Sequence, residues 1–89
     1  MNREDVRLRL QGVFRKIFDD DTIELHDGTT ADDIEEWDSL NQIKIILNAE
    51  ESFGASLNAR KIGTFENVGE MIDYLLDVTG GGEAPRGEQ

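Results

Sequence analysis

Apolar residues recur at helical spacing along most of this chain, while the alternation typical of β-strands is nearly absent. The first such stretch runs from Glu4 to Phe18. Its apolar residues on one helical face are Val6, Leu10, Val13, Phe14 and Ile17. Asn2 precedes the stretch as a candidate N-cap, and acidic residues in the first turn suit the helix dipole. The pattern predicts a first helix that ends at the acidic run Asp19-Asp20-Asp21.

A second helix is predicted from Ser39 to Phe53. Ser39 and Gln42 have the spacing of a capping box, so we expect Ser39 to be the N-cap, and Gly54 follows at the helix end. One apolar face of this helix consists of Ile45, Ile46, Ala49 and Phe53. A second apolar stripe beside it consists of Leu40, Ile43 and Leu47. Together they are wider than one core-facing stripe, so we expect the second stripe to be partly exposed.

The remaining sequence predicts two further helices and a long loop. Asn58 to Ile62 fits a short helical turn, and a last helix is expected from about Phe65 to Val78 with Thr64 as its cap. Residues 19–38 form a polar connector, in which we expect one short helical turn near Thr30 to Ile34. The predicted fold class is all-α, a small four-helix bundle of three longer helices and one short helix, with a long loop between helices 1 and 2. We assign the bundle to residues 1–79 and expect residues 80–89 to be a disordered tail.

The charge of the chain limits its partners. Its 89 residues include 20 Asp and Glu against nine Lys and Arg, for a formal net charge of −11. Such a surface repels nucleic acid and anionic membranes, because phosphate binding needs clustered basic side chains. The N-terminus lacks the apolar core of a signal peptide, and no apolar run is long enough to span a bilayer. We therefore expect a cytoplasmic monomer that binds no nucleic acid and no membrane. The acidic charge either suits docking onto basic patches of partner proteins or only keeps a small domain in solution.

Few residues are suited to catalysis or metal binding. The chain has no cysteine, and His26 is its single histidine. A Ser39–His26 pair lacks an identifiable third residue to orient it, so we predict no catalytic residues and a solvated His26. The acidic stretch Asp19 to Asp33 fails the EF-hand spacing, because Ile23 stands where that loop needs an oxygen ligand. We therefore predict no dedicated metal site, and a packing role for Trp37.

Ser39 is the residue on which the function depends, and its local sequence leaves two interpretations open. Serine is a favoured N-cap, which would make Ser39 purely structural. A hydroxyl on the first turn of a helix is also accessible, and the free backbone N–H groups there favour an attached anion. Ser39 could therefore be a cap or the attachment point of a phosphate-linked group.

Three segments in a fixed order resemble an acyl carrier protein over about residues 4–78. They are Trp37-Asp38-Ser39-Leu40, then Glu50-Glu51-Ser52-Phe53-Gly54, and finally Thr64-Phe65-Glu66-Asn67-Val68-Gly69-Glu70-Met71-Ile72-Asp73-Tyr74-Leu75. A first helix and a long acidic loop precede them, as in that family. Three aligned segments are far more specific than Asp-Ser-Leu alone.

This resemblance implies a carrier and not an enzyme. It implies that a phosphopantetheinyl transferase attaches the 4′-phosphopantetheine arm of coenzyme A to Ser39, and that the thiol of the arm holds acyl groups as thioesters. Asp38 would orient the site or help to position the metal ion of the transferase, and Leu40 would give the transferase an apolar contact. Other expected partners are an acyltransferase, a ketosynthase or acyl-activating enzymes. The expected docking residues are Leu40, Ile43, Lys44, Leu47, Glu50 and Glu51.

The chain departs from the family pattern at several positions. Glu36 replaces a glycine often found two residues before the Asp-Ser pair, and Asn41 and Lys44 stand where fatty-acid carriers usually have acidic or small polar residues. A positive charge on the docking face favours polyketide or other specialised biosynthesis over a housekeeping fatty acid role. Two alternatives stay open: a peptidyl or D-alanyl carrier with the same arm, and an acidic helical adaptor that is never modified.

Overall fold

The computed structural model describes residues 2–79 as a bundle of α-helices. Its elements are α1 (Arg3–Phe18), a 3-10 turn (Ala31–Asp33), α2 (Ser39–Phe53), α3 (Ala59–Ile62) and α4 (Val68–Val78). The predicted all-α class, with three longer helices, one short helix and a long first loop, is confirmed for this range. None of these helices is both long and apolar enough to cross a membrane. The predicted tail, residues 80–89, lies outside the described residues.

One apolar core holds the helices together, and α1 packs against both α2 and α4. The core residues from these three helices are Val6, Leu10, Phe14, Ile45, Ile46, Val68, Met71, Ile72 and Leu75. Leu25 of the first loop and Ile62 of α3 complete the cluster. Burial of one such side chain stabilises a fold by about 1.5–3 kcal/mol. The apolar faces of the helices, more than their intrinsic helix propensity, therefore hold them in place.

Helix α1 begins at the predicted cap. The Asn2 side chain accepts a hydrogen bond from the Asp5 backbone N–H at 2.9 Å, and the Asp5 carboxylate accepts one from the Asn2 N–H at 3.3 Å. This reciprocal capping box satisfies two N–H groups that the helix itself leaves free. At the other end, Asp19 takes a left-handed backbone conformation with φ of 52°, which stops the helix.

Helix α4 begins later than the sequence predicts. Its first residue is Val68, not Phe65, and its N-cap is Asn67, whose side chain accepts a hydrogen bond from the Glu70 N–H at 3.0 Å. The predicted cap, Thr64, instead donates both its N–H and its hydroxyl to the Lys61 carbonyl. Thr64 therefore closes the turn after α3, and the prediction of its role was wrong.

The loop of residues 19–38 is fastened to α1 by polar side chains. Leu25 is fully buried, its N–H donates to Oε1 of Gln11 at 2.9 Å, and its carbonyl accepts from Arg7 Nη1 at 3.1 Å. One helical turn further along α1, Arg15 Nε donates to the Ile23 carbonyl at 2.8 Å. A loop that passes this close to a core must have its backbone polar groups satisfied. Three side chains of α1, spaced four residues apart, provide the partners.

The same loop also contacts the start of α4. The Gly69 N–H donates to the Asp27 carbonyl at 2.8 Å, and the Val68 N–H donates to the Thr29 carbonyl at 2.7 Å. A Cβ atom on Gly69 would lie 2.9 Å from that Asp27 oxygen, so this approach requires glycine. Arg3 adds ion pairs to the carboxylates of Asp27 and Asp73. The loop is therefore bound to α1 at Ile23 and Leu25, and to the start of α4 at Asp27 and Thr29.

Candidate functional site

The cap of α2 is Asp38, one residue before the predicted one. Its backbone is extended, with φ of −122°, and its Oδ1 accepts a hydrogen bond from the Asn41 N–H at 2.8 Å. Ser39 is the first residue of the helix, and its side chain is not needed for the cap. The predicted partner Gln42 is also used differently, because its Oε1 accepts a hydrogen bond from Trp37. Asp and Ser are equally good caps, so adjacent Asp-Ser residues leave the choice open from sequence.

The position of Ser39 exposes its hydroxyl at the positive end of a helix. Ser39, Asp38 and Leu40 are all exposed to solvent. The backbone N–H groups of Ser39 and Leu40 lie in the first turn, where α-helices leave such groups without an intrahelical partner. An anion there gains about 0.3–1 kcal/mol from the helix dipole. Repulsion from a carboxylate such as Asp38, about 1 kcal/mol at 4 Å in water, would offset that gain. Accessibility, and not local charge, is therefore the favourable feature of this hydroxyl.

A cleft of about 600 Å³ opens beside Ser39, between α2 and the segment that leads from α3 into α4. Its apolar lining includes Trp37, Ile43, Ile62, Phe65 and Met71. The lining also includes Ser39 and Gln42, so the hydroxyl lies at the edge of a mostly apolar surface. Sequence reasoning did not identify this cleft, although Ile62, Phe65 and Met71 were visible as apolar positions in two helices.

Helix α2 presents a continuous apolar stripe to solvent. Leu40 is 62% exposed, Ile43 55% and Leu47 59%, whereas Ile45, Ile46 and Ala49 on the core-facing side of the helix are buried. The prediction that the second stripe is exposed is confirmed. Exposed leucine and isoleucine side chains on one helical face, next to Ser39, are typical of a surface that binds another protein.

The charged residues assigned to this face differ in their availability. Lys44 and Glu51 are exposed, while Glu50 is half-buried. The Glu50 carboxylate accepts a hydrogen bond from the Leu57 backbone N–H at 2.8 Å, so it also supports the turn between α2 and α3. Charge reversal at Glu51 would therefore disturb the fold less than charge reversal at Glu50.

Most of the acidic charge lies outside α2. Residues 19–38 contain ten of the 20 Asp and Glu residues and no Lys or Arg. Several of these carboxylates surround a second cleft of about 520 Å³, whose floor includes the apolar side chains of Phe18, Ile23 and Ile34. The first loop therefore carries half of the acidic residues of the chain, and it leads directly to Ser39.

His26 and Ser39 line different clefts. His26 is exposed, and its Nε2 lies 3.8 Å from Oε1 of Glu24. Residues 2–79 bring together no group of three or more His, Asp or Glu side chains that could hold a metal ion. Trp37 has the packing role expected from the sequence, with its ring edge-on to Phe14 at 5.0 Å between centroids.

Two comparisons with known proteins agree with this architecture. The chain is 22% identical to an acyl carrier protein of Acidothermus cellulolyticus over 79 residues, which are 89% of this chain and 94% of that protein. It is also similar to the solution structure of a holo acyl carrier protein from Geobacter metallireducens. That similarity has a TM-score of 0.78 and 30% identity, over 86% of this chain and 88% of the other. No protein-family model matches the chain.

Proposed function

Because this chain belongs to the acyl carrier protein family, we propose that it carries acyl groups on a 4′-phosphopantetheine arm attached to Ser39. Proteins of this family are carriers and not enzymes, which fits a chain with one histidine and no cysteine. The similar Geobacter protein is named as a holo form, which supports a prosthetic group on this chain as well.

The observation that carries this proposal is the exposed position of Ser39 at the start of α2, where its hydroxyl makes no hydrogen bond to any side chain or backbone group of residues 2–79. Asp38 makes the capping hydrogen bond, so the Ser39 hydroxyl can be modified without loss of the cap. In the attachment reaction the Ser39 oxygen attacks the β-phosphate of coenzyme A. The pyrophosphate bond breaks, 3′,5′-ADP leaves, and the hydroxyl proton passes to a base of the transferase. When attached, the arm supplies a thiol that holds an acyl group as a thioester.

The surroundings of Ser39 support the same proposal. The apolar cleft beside it gives an attached chain a surface to lie against between partners. The exposed stripe of Leu40, Ile43 and Leu47 gives partner enzymes an apolar contact that begins one residue from the attachment point. We propose Lys44, Glu50 and Glu51 as charged contacts around this stripe. The proposed partners are a phosphopantetheinyl transferase and the acyltransferase, ketosynthase or acyl-activating enzymes that load and use the carrier.

We propose a role in polyketide or other specialised biosynthesis, with Lys44 on the docking face as the supporting observation. A basic residue there favours a partner surface with an acidic group opposite it.

Loading by a malonyl-transferring acyltransferase, compared with loading by an amino-acid-adenylating enzyme, separates an acyl carrier from a peptidyl or D-alanyl carrier. The cytoplasmic location and the monomeric state remain predictions.

One experiment tests attachment to Ser39. The protein is incubated with coenzyme A, Mg²⁺ and a promiscuous phosphopantetheinyl transferase, and its intact mass is measured. We expect a gain of one phosphopantetheine, which Ser39→Ala abolishes. Ser56→Ala is the matched control, because Ser56 is also exposed but lies in the turn after α2. If the folded wild-type protein gains no mass, the carrier function is contradicted, and the alternative of an adaptor that is never modified is favoured.

A further inference from the structure

We propose that Asn41 and Gln42 are positioning residues for the modification of Ser39. Their side chains fasten the two residues before Asp38 to the first turn of α2, so that the backbone which carries the Ser39 side chain is held in one conformation. This inference rests on the proposed function, because it concerns the reaction that modifies Ser39. It adds a role for two residues that are neither the proposed attachment site nor among the proposed docking residues.

The first fastening is made by Asn41. Its Nδ2 donates a hydrogen bond to the Glu36 carbonyl at 2.7 Å, while its backbone N–H is bound by Asp38 Oδ1 at 2.8 Å. Asn41 therefore binds both Glu36 and Asp38, the residues on either side of Trp37. Glu36 and Asn41 are two of the departures from the family pattern, and this hydrogen bond joins them. The acceptor is a backbone carbonyl, so it is the Asn41 amide, and not the Glu36 side chain, that restrains the backbone here.

The second fastening is made by Gln42 and connects the site to the core. Its Oε1 accepts a hydrogen bond from the indole Nε1 of Trp37 at 2.6 Å. The Trp37 ring packs edge-on against Phe14, which is fully buried in α1. The chain just before Ser39 is thus held on one side by the apolar core and on the other by α2. In sequence, Asp38 and Ser39 lie between the two fastened residues, Glu36 and Trp37, and the two helix residues that fasten them.

This arrangement suits a reaction that depends on orientation. A hydroxyl nucleophile reacts fast only when it is held close to the direction of attack, and small displacements lower the rate strongly. The segment is exposed at Glu36, Asp38 and Ser39, so burial does not hold it there. Both fastening side chains are neutral amides, so their effect on the reaction should not depend on salt. That property separates them from charged docking contacts, whose effect weakens as salt is added.

The test measures the kinetics of phosphopantetheine transfer to variants of the apo protein, over a range of carrier concentrations. We expect Asn41→Ala and Gln42→Leu each to lower kcat by about fivefold, the effect of losing one hydrogen bond. KM should change little, because the docking stripe remains. Gln42→Glu keeps an acceptor oxygen for Trp37 and should retain the wild-type kcat. Trp37→Phe keeps the ring against Phe14 but removes the donor, so it should match Gln42→Leu.

The matched control is Asn48→Ala. Asn48 lies on the same helix, and its Nδ2 also donates to a backbone carbonyl, that of Lys44, at 2.8 Å. Its loss should leave kcat unchanged. Wild-type kcat in Asn41→Ala and Gln42→Leu would overturn the inference, while Ser39 would remain the attachment site. An equal loss in Asn48→Ala, or in Gln42→Glu, would also overturn it, because the effect would then reflect general helix stability. Failure of the wild-type protein to be modified would instead contradict the proposed function.

Discussion

Oδ1 of Asp38 accepts a hydrogen bond from the backbone N–H of Asn41 at 2.8 Å, and this bond begins helix α2. Loss of a capping carboxylate costs about 1 kcal/mol, so Asp38→Ala should lower the free energy of unfolding by about that amount. Ser39→Ala should change it by less than about 0.5 kcal/mol, since Ser39 is exposed and makes no cap. Urea denaturation of both variants measures the difference. A larger loss in Ser39→Ala than in Asp38→Ala would show that serine is the cap after all.

Two glycines in helices should respond in opposite ways to alanine. Gly12 lies in the exposed middle of α1, and a Cβ atom there would meet nothing within 4 Å. Gly12→Ala should therefore raise the free energy of unfolding by about 0.5–1 kcal/mol. At Gly69 a Cβ atom would meet the Asp27 carbonyl, so Gly69→Ala should lower it by about 1–3 kcal/mol. Thermal melts of the pair test this, and equal shifts would contradict the close contact between the loop and α4.

Gln11 should be needed to hold the first loop in place against α1. Gln11 is 8% exposed, and its side chain accepts the hydrogen bond from the buried Leu25 N–H. Gln11→Leu would leave that N–H without a partner, at a cost of about 1–3 kcal/mol. We expect a lower free energy of unfolding and faster hydrogen exchange at the Leu25 amide. Unchanged exchange at that amide would mean that the loop does not depend on α1 for its position.

The exposed stripe of α2 should affect partner binding more than other exposed leucines do. Leu47→Ala should raise the KM of the transferase for this chain about fivefold, because a contact at the interface is lost. Its melting temperature should barely change, since Leu47 is 59% exposed. Leu8 of α1 is 49% exposed and provides the control, so Leu8→Ala should leave KM unchanged. Equal effects of the two substitutions would place the docking surface elsewhere.

Helical periodicity predicted the parts of the fold that depend on local sequence. It identified α1 with its cap Asn2, and it identified the exposed stripe of α2 because two apolar faces exceed what one core requires. The predicted N-caps of α2 and α4 were both wrong, and for the same reason. Asp38 and Ser39 are both good caps, as are Thr64 and Asn67, and the choice depends on which residue takes an extended backbone. Long-range contacts make that choice, including Trp37 on Phe14 and the hydrogen bond from Val68 to Thr29.

The bonds that fasten the first loop were also beyond prediction. Gln11 and Arg7 looked like ordinary polar residues of a surface helix, yet they bind the backbone of Leu25 from 14 and 18 residues away in sequence. Such partners are set by how the loop folds back, which a single sequence does not specify. The same is true of Asn41 and Gln42, whose amides could have faced solvent.

The proposed attachment of phosphopantetheine to Ser39 can be tested directly. The protein is modified with coenzyme A and a phosphopantetheinyl transferase, and the intact product is fragmented in a mass spectrometer. We predict that the added mass lies on the fragment that contains Ser39, while fragments with Ser52 or Ser56 are unmodified. A folded protein that gains no mass, or that gains it at any other residue, would contradict a carrier role for Ser39.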